Sequence, residues 1–296
     1  MPSLNAPAAE APPWRRPRSG LTLTILDMGR VNMPDSYAWK GGGKTKHPWP
    51  ILAFLVHHPE GALLIDSGCN PAFGTGRQRE YAGWVYPLAK LIYAFPNMAP
   101  DQDVGSQLER LGVEPGSLKS VLLTHAHVDH IGGVATIPTS VPVYVGEGEL
   151  QQFERRDAVL NGFHPKDLKT GHRFLPVPWQ ERGVLGFDRS WDVFQDGSVV
   201  AIEAPGHTPG SLMVLVNLES RPVLITGDAA YNHRNYEIPA PKGKIFLHAA
   251  DSDERRAMEA ITRLRNVHLN HPEVLILMSH DWERLPSYKI APDVYR

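Results

Sequence analysis

Residues 124–133 read Thr-His-Ala-His-Val-Asp-His-Ile-Gly-Gly, and they set three imidazoles and a carboxylate, His125, His127, Asp129 and His130, within six positions. Extended backbone turns the side chains of residues i and i+2 to the same side, so His125 and His127 can grip one metal ion. Asp129 and His130 then turn toward a second ion. Gly132 and Gly133 allow a tight turn and a close backbone approach to whatever the donors hold. A purely structural account would need four such donors side by side for no chemical reason.

Three more stretches supply matching donors. Ala204-Pro-Gly-His207-Thr-Pro-Gly fixes an imidazole between Pro and Gly residues, just past an apolar run. Leu224-Ile-Thr-Gly-Asp228 delivers a carboxylate past the end of a strand-like run, and Leu275-Ile-Leu-Met-Ser-His280 delivers an imidazole in the same way. Counting ligands assigns His125, His127 and His207 to one ion and Asp129, His130 and His280 to the other, with Asp228 placed to bridge them. Imidazole and carboxylate without thiolate suit Zn2+ best, and Mn2+, Fe2+ or Co2+ also bind such a set. Two ions about 3.5–4 Å apart share a water and make it hydroxide near neutral pH. Of the 14 histidines, the other nine are assigned no ligand role. Asp66, at the end of the apolar run 62–66, reads equally as a turn former or as an acceptor behind a metal ligand.

The elements that must carry these donors are mostly strands. Residues 21–28 alternate as a half-buried strand, and 51–57 with 62–66 form a hairpin across His58-Pro59-Glu60-Gly61. Residues 105–112 predict a short helix with Ser106 as N-cap, feeding the apolar strand 120–123 that empties into the donor cluster. A strand at 141–145 and a helix over 147–155 follow, then loops and short strands over 160–195. Strands return at 198–203, 212–216, 222–225 and 274–278, with a helix over 252–269 capped by Asp251 or Ser252. Strand runs dominate each half, so two sheets packed on each other and clad by helices are expected. Ala38-Trp-Lys-Gly-Gly-Gly-Lys-Thr45 imitates a phosphate loop, but no apolar strand leads in, and Pro48 and Pro50 block a helix leading out. It reads as a flexible loop over the substrate.

With 42% hydrophobic and 21% charged residues, the chain has an ordinary globular composition. A net charge of −2 without basic runs gives no footprint for nucleic acid. The single Cys69 rules out an internal disulfide framework. No segment has the roughly 20 apolar residues of a membrane span, and the run after Arg15-Arg16 is too short and polar for an export signal, so a cytoplasmic location is expected. Residues 1–20, rich in Pro and Ala, read as a flexible tail, with residues 21–296 as one domain. Such an arm, with Trp14 as its anchor, also leaves a homodimer open. The apolar stretch 80–100, with Trp84, Tyr86, Leu88, Leu91, Ile92, Tyr93 and Phe95, reads as a satellite cluster, a wall for a substrate tail or a subunit interface.

Asp66-Ser-Gly, His125-x-His-x-Asp-His-x-Gly-Gly, Gly206-His-Thr-Pro-Gly, Gly227-Asp228 and Ser279-His280-Asp281 together resemble the metallo-β-lactamase-fold hydrolases, over nearly all of residues 21–296. The resemblance implies an α/β chain folded as a four-layer αβ/βα sandwich of two mixed β-sheets, with a dinuclear site on one edge. Gly227-Asp-Ala-Ala-Tyr231 is similar to the corresponding segment of N-acyl homoserine lactonases, in which a tyrosine three residues after the bridging Asp reaches the substrate. It implies that a metal-bridging hydroxide opens the lactone ring, that Tyr231 holds the developing oxyanion, and that Asp129 carries the proton to the leaving alkoxide. The substrate would be a small lactone or ester with an apolar tail. True β-lactamases of this fold lack the bridging Asp, glyoxalase II enzymes carry a basic extension not evident here, and the ribonuclease Z type would show a basic surface. Val128 stands where lactonases often have an aromatic, which implies a different acyl pocket. Another esterase, a thioesterase or a phosphodiesterase on the same site, or a metal-binding protein without turnover, are the competing readings.

Overall fold

The computed structural model describes residues 12–83, 86, 87, 96–245 and 248–296. Six strands form the first sheet in sequential order: β1 (Thr22–Pro34), β2 (Lys46–His57), β3 (Leu63–Ile65), β4 (Ser120–Leu122), β5 (Val143–Val145) and β6 (Phe174–Pro176). The first two pairings are antiparallel and the rest parallel. β7 (Ser190–Asp192), β8 (Val199–Glu203), β9 (Leu212–Asn217) and β10 (Pro222–Ile225) build the second sheet. A two-residue ladder pairs β11 (Lys244–Ile245) with β12 (His248–Ala249), and β13 (Leu275–Leu277) completes the second sheet parallel to β10.

The period of two along the strands explains the layering. Leu52, Phe54 and Val56 of β2 meet Val214 and Val216 of β9 in the core between the sheets. Their neighbours Ile51, Ala53 and Leu55 face the other way, onto Val104, Leu108 and Ile131 from helical segments. On the far side Met213 and Leu215 pack against Ala260, Leu264 and Val267 of the long helix Glu254–Asn270. Both sheets are therefore covered on both faces, which is why their strands read as continuous apolar runs. The result is a four-layer αβ/βα sandwich of two mixed sheets. Fully burying each Leu, Val or Phe of these layers stabilises the fold by about 1.5–3 kcal/mol.

Several local expectations change. The helix at Val104–Arg110 is capped by Asp103, whose Oδ1 accepts the Ser106 N–H at 3.0 Å, rather than by Ser106. The long helix is capped by Asp253, which accepts the Arg256 N–H, because Asp251 is committed elsewhere. The predicted helix over 147–155 is only Glu149–Gln152. The glycine-rich loop is an ordered hairpin end: at the start of the helical turn Asp35–Ala38, the Asp35 and Ser36 N–H groups donate to the Thr45 and Gly43 carbonyls. Pro48 and Pro50 lie in β2 itself, on a stretch paired only with β1, where a missing donor is tolerated. From residue 12 onward the N-terminal arm lies on its own chain, Trp14 packing edge-on to His271 with ring centres 5.2 Å apart. Trp84, Leu88, Leu91, Ile92, Tyr93 and Phe95 of the apolar stretch lie outside the described residues.

Candidate metal centre

Parallel strand pairs deliver the donors to one edge. Ile65 and Leu122 are register partners, so Asp66 and the Thr124–His130 loop emerge together. Ile225 and Leu277 are partners in the second sheet, and Asp228 and His280 each lie three residues beyond. The glycines behave as tight contacts: a Cβ on Gly133 would come within 1.9 Å of the Ser67 carbonyl oxygen, so the helical turn Val128–Ile131 can sit directly against the Asp66–Asn70 loop. Buried Glu149, which in sequence looks like an ordinary helix residue, joins the two histidine loops. Its carboxylate oxygens accept the Ala126 and Gly210 N–H groups, each at 2.8 Å.

The seven donors form two groups that share an edge: His125, His127, His207 and Asp228 in one, Asp129, His130 and His280 in the other. His127 Nδ1 lies 3.1 Å from His125 Nε2 and 3.1 Å from His207 Nε2. Asp228 spans both groups. Its Oδ2 is 3.6 Å from His125 Nε2 and 3.4 Å from His207 Nε2, while its Oδ1 is 3.4 Å from His130 Nε2 and 3.3 Å from His280 Nε2. Asp129 Oδ2 stands 3.5 Å from His280 Nε2.

Behind the donors a set of acceptors fixes three of the five rings. His130 Nδ1 donates to Asp66 at 2.8 Å, and Asp66 also accepts the Thr124 N–H at 2.7 Å and the Thr124 hydroxyl at 2.8 Å. His280 Nδ1 donates to the Pro50 carbonyl at 2.7 Å and His207 Nδ1 to Asp251 at 3.3 Å. With their protons committed outward, the Nε2 atoms of His130, His207 and His280 present lone pairs inward. Lone pairs that converge at such distances repel one another unless a cation lies among them. His130 Nε2 and Asp228 Oδ1 are buried with no hydrogen-bond partner, as suits atoms that would ligate a cation. The donor set therefore fits a pair of divalent ions.

The electrostatics agree. Burial, reinforced by neighbouring imidazoles, holds His125 and His127 well below the ordinary histidine range, in the neutral form that ligates metal. Burial opposes charge on Asp228, but positive charge drawn to His280 and His130 outweighs it and holds the carboxyl well below its ordinary range; the same pairing with Asp228 raises His130 and His280, so this end of the site is the one that calls for a cation. Tyr231 is buried, with its ring centre 5.6 Å from both His207 and His280, so it stands over both donor groups. Burial, with Tyr37 and nearby carboxylates, pushes its hydroxyl well above 10, so it persists as a donor at neutral pH. A third group, His233, Asp281 and Glu283, is an ion-pair network, its carboxylates already engaged by Asn232, His233 and Arg234.

A cavity of about 440 Å³ opens over this floor. Asp129, Asp228 and His280 line its base, while Met33, Trp49, Phe73 and Phe163 supply apolar wall, and Val128 lines it as well. Tyr37, from the hairpin end, reaches the same cavity.

Fold and site together define a member of the metallo-beta-lactamase superfamily, whose sequence profile matches residues 48–277; the chain belongs to that family. Among characterised relatives it is 28% identical over 256 residues to the N-acyl homoserine lactonase AttM of Azorhizobium caulinodans, covering 86% of this chain and 90% of that one. It is 26% identical over 249 residues to an N-acyl homoserine lactonase of a Bacillus species, covering 82% and 86%. Among solved structures, an N-acyl homoserine lactone hydrolase with N-hexanoyl-L-homoserine bound at its catalytic metal centre superposes with a TM-score of 0.74 at 23% identity, covering 93% of this chain and 98% of that one. AidC, a dizinc quorum-quenching lactonase, superposes with a TM-score of 0.60 at 16% identity, covering 93% of each chain. No helix among the described residues is long and apolar enough to cross a membrane.

Proposed function

We propose that the protein is a dinuclear metal-dependent N-acyl homoserine lactonase. The observation that carries this reading is the placement of Asp228 and Tyr231. One oxygen of Asp228 faces each donor group, and Tyr231 stands equidistant from His207 and His280 at the floor of a partly apolar cavity. The relatives named as lactonases support the substrate class.

His125, His127 and His207 would hold one ion, Asp129, His130 and His280 the other, with Asp228 shared; Zn2+ is the ion proposed. When bound, such a pair supplies a water activated near neutral pH and positive charge for a developing oxyanion. The chain's own residues do the rest. The Tyr231 hydroxyl donates to the lactone carbonyl oxygen as it gains charge, from a fixed place, so little reorganisation is needed. As water oxygen bonds to the carbonyl carbon and the ring C–O bond breaks, Asp129 takes the water's proton and returns it to the leaving alkoxide, giving the open-chain N-acyl homoserine. The apolar wall excludes water from the acyl tail. Among the described residues Trp14 is engaged within its own chain, so a homodimer, also proposed, would use another surface and is tested by sedimentation. Cytoplasmic residence belongs to the same proposal and is tested by cell fractionation.

The deciding experiment is a hydrolysis profile of metal-loaded protein across short and long N-acyl homoserine lactones, with a simple ester, a thioester and a bis-aryl phosphate as controls. Fastest turnover on the lactones is expected. No ring opening at any chain length, with turnover of a control, would replace the substrate while keeping the site.

A further inference from the structure

Lys242 has no part in the ligand set, yet its side chain is wholly buried beside the site. It is delivered by a short segment docked on the hairpin end: the Pro241 carbonyl accepts the Lys40 N–H at 2.8 Å and the Gly243 N–H donates to Tyr37 at 2.9 Å. An ammonium has three N–H groups, and three partners surround this one. Nζ lies 2.5 Å from Asp251 Oδ1, donates to the backbone carbonyl of Asp228, and sits 4.6 Å from the centre of the Tyr231 ring. Asp251 in turn accepts from His207 Nδ1 at 3.3 Å.

A buried cation next to a site built for cations carries both a desolvation cost and repulsion. Neutralising Asp251 alone would not account for it, since an uncharged acceptor behind His207, such as the Pro50 carbonyl behind His280, would need no lysine. What the lysine adds is geometry: one atom ties together the backbone of the carboxylate facing both donor groups, the acceptor that orients His207, and the ring of the tyrosine over them. We propose that Lys242 is a positioning residue of the active centre, setting Tyr231 and Asp228 directly and His207 through Asp251. The rate arm of the proposal rests on the lactonase reading; the metal arm does not.

The test compares wild type with Lys242→Met, Asp251→Asn and the double variant, measuring lactone kcat and KM, metal released to a graded chelator, and melting temperature of the metal-free protein. Lys242→Met should lower kcat about 10–100-fold with KM within about threefold, the loss typical of supporting groups behind a metal site. It should also release metal at lower chelator concentration than wild type, most for the equivalent beside His207 and less for the other, which it reaches only through Asp228. Asp251→Asn should ease release of the same equivalent but cost kcat less once fully loaded. The double variant, free of an unpaired buried charge, should recover melting temperature but not kcat. Recovery of kcat along with melting temperature would show that Lys242 only neutralises Asp251 and would overturn the proposal. So would wild-type kcat and metal release in Lys242→Met. If that variant fails to fold, the double variant decides on the same criterion. If wild type opens no lactone, the lactonase reading fails by itself, and metal release from Lys242→Met at lower chelator concentration than from wild type still supports the role of Lys242, while release equal to wild type overturns it.

Discussion

Replacing Asp66 by Asn tests whether the ligand rings are oriented from behind. Asp66 is fully buried and accepts three hydrogen bonds: from the Thr124 N–H, the Thr124 hydroxyl and His130 Nδ1. Asparagine keeps the shape but has one acceptor oxygen. If that oxygen stays on the Thr124 N–H, the amide NH2 faces the Nδ1–H of His130, and two donors meet in a buried place, at a cost of about 1–3 kcal/mol. The imidazole escapes by moving its proton to Nε2, the atom that must face the metal. Affinity for the ion proposed to sit among Asp129, His130 and His280 should therefore fall 10–100-fold, or about 1.4–2.7 kcal/mol. Metal content after dialysis and chelator competition read this directly: wild type should keep two equivalents where the variant keeps nearer one. The melting temperature of the metal-free variant separates ligand orientation from loss of the Thr124 contacts. An Asp66→Asn protein binding both ions with wild-type affinity would refute the argument.

Tyr231→Phe removes the proposed oxyanion donor and no ligand, so kcat should fall by about 10²–10³ with metal content unchanged, as steady-state kinetics and metal analysis would show. Glu149→Ala leaves the buried Ala126 and Gly210 N–H groups without their acceptor, at about 1–3 kcal/mol each, and a metal-free melting temperature equal to wild type would count against its bracing role. Burial lifts Asp167 from 3.8 to about 7, although the Tyr81 hydroxyl donates to it. A carboxyl raised in the fold contributes stability below its unfolded pKa and loses it as pH rises, here between about 4 and 7. The unfolding free energy of wild type relative to Asp167→Asn should decline through that window and level off above it; a flat difference in denaturant titrations would show that Asp167 does not titrate there.

The donors were legible because metal chemistry restricts residue types and because they follow apolar strands closely: His125, Asp228 and His280 each lie three residues beyond Leu122, Ile225 and Leu277. The layers were legible for a related reason, since strands buried on both faces, such as residues 51–56, leave no polar face to mistake for solvent. What orients the donors was far less visible. In sequence Glu149 is one residue within the expected helix 147–155, Asp251 one of two candidate helix caps, and Lys242 carries no signal, because each meets its partner across a stretch of chain that local patterns do not encode. Asp251 and His207 are 44 residues apart in sequence, and Glu149 and Gly210 are 61 apart. Asp66 has two readings in sequence for the same reason: a carboxylate before Ser-Gly suits a turn, and only the parallel register of β3 with β4 turns it onto Thr124 and His130. Candidate donors can thus be read from short stretches, whereas the protonated edge of His130, His207 and His280 is set by residues that only the tertiary fold brings near. Substitutions among those residues should move metal affinity and rate while leaving the donor motifs unchanged, so chains with identical motifs can differ widely in activity.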